Sequence, residues 1–362
     1  MASLLQLIFS GLESGSIYAL ATLGIMLIYR TSTVTNFAQG MIGMFSAFFA
    51  AAIVMGNLDL TLYSVAIAVL FAVAFILFLK KKEISYAISV PVSLGIAFIF
   101  VLIIHWIGRS VWSATILGII TGFITGVIID FVIIRRAQKV NPLSKQIITM
   151  GLVIVILGIT PVIFSKMIVG ATPIMIPPFI SEGSIRILGA ALSYNSLFNI
   201  TVGLVIMISL FLFLQRTKWG LAVRTTASNP QVARMMGVPT KLVTVGAWAV
   251  AASLGALAAI MYAPQAAILS PGYMVVIQIV AFVACMFGGF QTFHGPVIAA
   301  YIIGIVRNLI VFYGSDFLRI FSPTISSEFG SIWGEQILYI LILVFIIFRP
   351  FGLIGKKTIK KV

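Results

Sequence analysis

The sequence predicts an all-α protein, a polytopic membrane helix bundle, and three observations carry that prediction. Of the 362 residues, 61% are hydrophobic and only 9% are charged, against about half and about a quarter in an ordinary soluble domain. The apolar residues gather in runs near the roughly 20 residues that a membrane-spanning helix needs. The 23 Lys and Arg, set against 8 Asp and Glu for a net charge of +15, are shared unevenly between alternate loops. So little polar surface cannot cover a water-facing globule. That excludes an ordinary soluble enzyme, a disordered chain and a nucleic-acid reader. Residues 1–362 read as one transmembrane domain.

Eleven apolar segments follow in order. The first, Leu4–Tyr29, opens without a preceding Lys or Arg. It therefore lacks the basic region of a signal peptide and reads as a retained helix. Phe37–Met55 is rich in Gly, Ala and Met, and Leu60–Leu79, Ile84–Ile107 and Trp112–Ile134 are longer. Ile147–Phe164, Ser196–Leu214 and Leu242–Met261 come next, then Met274–Phe287, Pro296–Phe312 and Glu335–Phe348. The second, ninth and eleventh are expected to be short or broken. Such backbone is tolerated at membrane depth only where protein or water covers it.

The loops then orient the bundle. One set holds Arg30; Lys80, Lys81 and Lys82; Arg135, Arg136, Lys139 and Lys145; Arg216, Lys218, Arg224, Arg234 and Lys241; and Arg349, Lys356, Lys357, Lys360 and Lys361. The alternate set holds only Arg109, Lys166, Arg186 and Arg319, and Arg307 lies within a span. Positive charge favours the cytoplasmic side. The C-terminus is therefore expected inside and the N-terminus outside. The long Ser165–Asn195 loop, broken by Pro173, Pro177 and Pro178, is then external.

The internal loop 215–241 is the most informative segment. Asn229-Pro230 is a helix cap followed by a first-turn proline. Gly237 and Pro239 end the helix. Between them Val232, Met235 and Met236 share one face. That face is expected to pack on its own bundle, to lie at the lipid interface, or to dock in a groove of a cytosolic partner.

Charges at membrane depth are costly and usually face the bundle interior or water. Asp130 is expected to be interfacial and partly solvated beside Arg135 and Arg136, and Arg307 to snorkel outward next to Asn308. Glu13 is expected either near the outer surface or along a pathway. Between the first two segments, Thr35 or Asn36 suits a helix cap, and Asn36 and Gln39 suit the wall of a substrate route. Gly40 and Gly43 permit close helix approach. The turn around Gly288, Gly289, Gly295 and Pro296 lacks the Lys-Ser/Thr of a phosphate loop, so this chain is not expected to bind nucleotide. With one cysteine, Cys285, and two histidines, His105 and His294, it is expected to form no disulfide and to hold no metal or other cofactor.

Several segments together resemble the permease subunits of branched-chain amino acid ABC importers, in the larger family that includes ribose-type sugar and urea or amide permeases. GSIYALATLGIMLIYRTSTVTNFAQGMIGM is similar to that family's opening, with its Asn-Phe-Ala-His/Gln-Gly element. RTKWGLAVRTTASNPQVARMMGV resembles its coupling loop, with Gly220, Arg224, Asn229, Ala233 and Gly237 in matching places. Ile134-Arg135-Arg136 and KQIITMGLVIVILG are similar to a middle segment, and GGFQTFHGPVIAAYIIGIVRN and RPFGLIGKK to its later turn and ending. The stretch Leu60–Ile120 matches no motif of that family and stands as a departure.

The resemblance implies a second permease subunit around one pathway, two cytosolic ATP-binding subunits that hold ATP and magnesium, and an external substrate-binding protein. It implies a multi-pass protein of a bacterial or archaeal cytoplasmic membrane and no catalysis by this chain. It makes Val232, Met235 and Met236 the face that meets an ATPase. It leaves open branched-chain amino acids, other small amino acids, urea, amides or a sugar as cargo. The competing class is a secondary transporter or channel, in which Glu13 or Asp130 would titrate with transport.

Overall fold

The computed structural model describes residues 2–57, 59–80, 86–137, 140–165, 173–266, 268–319, 328–349 and 352–354. Lys81, Lys82, Lys139, Lys166, Lys356, Lys357, Lys360 and Lys361 lie outside the described residues, as do parts of the Ser165–Asn195 loop and of the RPFGLIGKK ending. Each of the eleven apolar segments is a helix: α1 (Ala2–Ser32), α2 (Gln39–Val54), α3 (Leu60–Lys80), α4 (Tyr86–Ile107), α5 (Val111–Ile129), α6 (Pro142–Ile163), α7 (Tyr194–Arg216), α10 (Thr240–Tyr262), α11 (Val275–Gly288), α12 (His294–Arg319) and α13 (Phe329–Phe348). Two further helices, α8 (Lys218–Ser228) and α9 (Pro230–Met235), lie in the loop between α7 and α10.

Among the described residues, seven helices are long and apolar enough to cross a membrane, within α1, α5, α6, α7, α10, α12 and α13. The short helices are α2, of 16 residues, and α11, of 14. The eleventh segment is not short. α13 begins at Phe329 and runs 20 residues, because the helix continues through Glu335, where the apolar run stops. The Ser165–Asn195 loop folds part of itself into a hairpin of β1 (Ser184–Ile187) and β2 (Ala190–Ser193). Its turn holds Leu188 and Gly189 at φ of 52° and 84°.

The centre of the bundle is the pair α1 and α10. α1 packs on α12, and α10 on α5. Each central helix is followed by a loop and a short helix, and the short helices cross over: α2 packs chiefly on α10, and α11 on α1 as well as α12. Apolar lipid gives helices no hydrophobic reason to associate, so close backbone approach through small residues supplies the contact. α10 is suited to this. Its Ala247, Ala251, Ala252, Gly255, Ala258 and Ala259 are buried.

At the α5–α10 contact, a methyl group on Gly126 would lie 2.5 Å from the Trp248 carbonyl oxygen and 2.8 Å from Ala252 Cβ. Gly126→Val is therefore expected to push the two helices apart. Overpacking of this kind costs about 1–3 kcal/mol, read as a lower melting temperature of the purified chain. An unchanged melting curve would contradict the packing.

α3 and α4 pack mainly on each other. Leu62, Val69, Phe98, Leu102 and Trp106 stay exposed on them, as a peripheral hairpin in lipid would require. It is tied to the bundle where Phe49 stacks on Tyr63 at 5.2 Å between ring centroids and where the hydroxyls of Tyr63 and Thr121 bond.

Two charged residues sit differently from expectation. Asp130 is buried rather than partly solvated, 3.8 Å from Arg135 Nη2. It opens a π-turn, Asp130–Ile134, that continues α5 and is closed by the Arg135 N–H donating to the Asp130 carbonyl at 2.8 Å. The extra residue in that turn brings the guanidinium back over the carboxylate. Arg307 does not snorkel outward. It donates from Nε to Glu335 Oε1 at 3.0 Å and from Nη2 to the same oxygen, joining α12 to α13.

Candidate functional site

Two places carry the residues that the sequence singles out. The first is a polar seam in the core. Asn36 and Gln39 are buried at the start of α2. The Ala38 N–H donates to Asn36 Oδ1 at 3.0 Å, an Asx-type turn, and Asn36 Nδ2 donates to Gln39 Oε1 at 3.2 Å. Gln39 Nε2 reaches the carbonyl of Ala251, midway along α10. The Gly40 N–H donates to Gln278 Oε1 on α11, and Gln278 Nε2 donates to the Asn36 carbonyl at 3.5 Å.

α2 thus begins inside the bundle, at the level of the middle of α10, and its first turn finds acceptors on side chains instead of on water. Unsatisfied backbone at this depth would cost several kcal/mol per group. Gln278 was not singled out in the sequence. Its only local signal is an amide among the apolar residues of α11.

Glu13 belongs elsewhere. It lies eleven residues before Gly24, the α1 residue beside the Gln39 amide, and so about 16 Å along the helix. Ser196 Oγ donates to its Oε2 at 2.6 Å and Asn199 Nδ2 to its Oε1 at 2.8 Å, pinning α1 to the first turns of α7. The structure brings Asn36, Gln39 and Gly40 together and places Glu13 apart from them.

The second place is the loop between α7 and α10. Thr217 caps α8 by accepting the Gly220 N–H at 3.0 Å. Gly220, Val223 and Thr226 form the buried face of α8, with Gly220 against the Leu214 backbone. Arg224 Nη2 donates to the Gln215 carbonyl at 3.2 Å. Asn229 Oδ1 accepts the N–H groups of Gln231 and Val232 at 3.0 and 3.2 Å, as its position before Pro230 predicts.

The end of α9 closes with the Val238 N–H on the Ala233 carbonyl at 2.9 Å, and Gly237 takes φ of 78°. That pattern is a Schellman-type stop, in which glycine avoids the strain of positive φ. Ala233 is the buried residue of α9, while Val232, Met235 and Met236 are 46%, 78% and 79% exposed. The apolar face found in the sequence thus points away from its own bundle. α8 was missed in the sequence. Its buried face is built of Gly, Val and Thr, too weakly apolar to mark a helix.

Arg30 Nη1 donates to the Gln291 carbonyl at 2.7 Å in the turn after α11, and the Leu353 N–H near the C-terminus donates to the Phe287 carbonyl at 2.8 Å. Residues 57–347 match the profile of the family described as branched-chain amino acid transport system, permease component. The chain belongs to this family.

The permease is 24% identical to the high-affinity branched-chain amino acid transport system permease protein BraD of Pseudomonas aeruginosa, over 99% of this chain and 98% of that protein. It is 26% identical to the probable branched-chain amino acid transport permease protein LivH of Methanocaldococcus jannaschii, over 95% and 91% of the two chains. LivH of Salmonella typhimurium is 23% identical over 99% of the permease and 97% of its own length. No solved structure matches the chain. The matched range takes in Leu60–Ile120, the stretch with no recognisable motif. The seven long apolar helices and the family make this a multi-pass membrane protein.

Proposed function

We propose that this chain is the transmembrane permease subunit of an ATP-binding-cassette importer and forms the translocation path for branched-chain or related small amino acids. The observation that carries the reading is the exposed face of Val232, Met235 and Met236 on α9, in a chain of a permease family. In this reading the face docks on a cytosolic ATP-binding subunit. Gly220 and Ala233 let α8 and α9 lie against the bundle, Arg224 and Asn229 hold their shape, and Gly237 turns the chain back into α10. Movement of the ATPase would then be handed to α7 and α10 at both ends of one rigid loop.

Two such ATPases bind the ATP and magnesium, and this chain binds neither. A second permease subunit completes the path, and an external binding protein delivers cargo. The basic loops face the cytoplasm of a bacterium or archaeon, with the C-terminus inside and the N-terminus outside. The seam of Asn36, Gln39 and Gly40 flanks the path at the middle of the membrane. Glu13 flanks it nearer the outer face, and both exchange hydrogen-bond partners as it opens.

The test is uptake by the permease reconstituted with its partner subunits and binding protein. Leucine, isoleucine or valine should accumulate only with ATP, should be blocked by vanadate, and should not be displaced by urea or ribose. Uptake driven by an ion gradient through the purified chain alone would overturn the reading.

A further inference from the structure

We propose that the cleft at the root of α9 and α10 binds the phosphate of an anionic phospholipid. The cleft, about 670 Å³, is lined by Arg135, Arg234, Thr240, Lys241 and Leu242 among others, with three cations and no acid in its wall. Asp130 lies 3.8 Å from Arg135 Nη2. It balances one of the three charges, leaving two.

Arg135 Nε is buried and has no acceptor among the described residues. Arg234 Nε donates to Thr240 Oγ1 at 3.0 Å, which holds its guanidinium against the start of α10. The first turn of α10 adds the positive end of the helix dipole.

Position selects the ligand. Arg135 follows the last residue of one candidate span, and Thr240 opens another. The cleft therefore lies at headgroup level. Leu242, in the cleft, is 55% exposed, and Phe131, whose ring centroid lies 4.9 Å from the Arg135 guanidinium carbon, is 59% exposed. A basic rim above an apolar wall fits a diester phosphate with its acyl chains below. Basic pockets between membrane helices take anionic headgroups in this way, through charge-assisted bonds from arginine. A free phosphate would leave the apolar wall unused, and an acidic protein segment would not reach below headgroup level. Arg234 belongs to the loop assigned above to ATPase docking, so a bound lipid would clamp α9 to the bundle. That consequence rests on the proposed function, but the binding itself does not.

The test uses the purified full-length chain in detergent, without ATP, partner subunits or cargo. Dihexanoyl-phosphatidylglycerol is expected to raise the melting temperature by about 3 °C. Dihexanoyl-phosphatidylcholine and inorganic phosphate at the same concentration should raise it by less than a third as much. Lys241→Gln should at least halve the shift and Arg135→Gln should abolish it. Lys241 is exposed and Lys241→Gln leaves Asp130 its partner, so this variant keeps the test usable if Arg135→Gln fails to fold. Equal shifts with both lipids, a full shift with inorganic phosphate, or full shifts in Lys241→Gln would overturn the proposal.

Discussion

Met236→Asp is expected to abolish ATP-driven uptake while leaving the chain folded and inserted. The two halves of that result have separate causes. Met236 is 79% exposed, and its neighbour Met235 78%, so a carboxylate there displaces no packing within the permease and stays in water. In the assembled importer the same carboxylate would be buried against an apolar groove with no partner. Burial of that kind costs about 3 kcal/mol, or about a hundredfold in docking affinity. Co-purification of the ATP-binding subunits should fall accordingly, while the melting temperature of the permease alone stays within a degree or so of the parent. Met236→Leu keeps the apolar face and should keep uptake. Normal uptake and normal co-purification in Met236→Asp would remove α9 from the docking surface.

The second large effect is expected midway along α12. Arg307→Met removes the only cation that bonds Glu335 among the interactions described above. Both side chains are about 30% exposed, 28% for Arg307 and 30% for Glu335, so the pair is neither fully dry nor free in water. Glu335 left alone at membrane depth costs about 2.5–3.5 kcal/mol. The single variant should therefore melt lower and lose α12–α13 contact, whereas Arg307→Glu combined with Glu335→Arg should regain most of the loss. The comparison is read from melting curves of the three purified chains. A single variant as stable as the parent would show that the pair contributes nothing to holding α13. A swap no better than the single variant would mean that each charge answers to other neighbours, among which Tyr18 and Tyr262 lie close enough to feel Arg307.

What the sequence made legible was local or compositional. Eleven apolar runs became eleven helices because lipid demands unbroken intrahelical hydrogen bonding wherever the chain crosses it. The Asn229-Pro230 cap and the Gly237 stop were readable because each is complete within three or four residues. The apolar face of α9 was readable from spacing alone, though only the structure shows that it is turned outward.

The remainder depended on pairings between distant residues. Gln278 has no meaning until α11 is laid beside α2, and Glu335 looked like the edge of a span until Arg307 was found opposite it. Asp130 was matched with the right arginine but is buried instead of partly solvated, because the π-turn that folds Arg135 back over it leaves no trace in composition. The β1–β2 hairpin hid behind Leu188, a residue seldom found at positive φ.

The crossing of the short helices has a consequence for how the protein is made. Gln39 waits for Ala251, 212 residues later, and Gly40 waits for Gln278, 238 residues later. At about 5–20 residues per second, translation separates such partners by about 10–50 s. Through that interval the ribosome-bound chain carries a short helix whose Gln39 side chain and Gly40 N–H lack these distant partners. The first two helices can enter the bilayer early, but the middle of the molecule is assembled last, as a single event, when α10 and α11 arrive together.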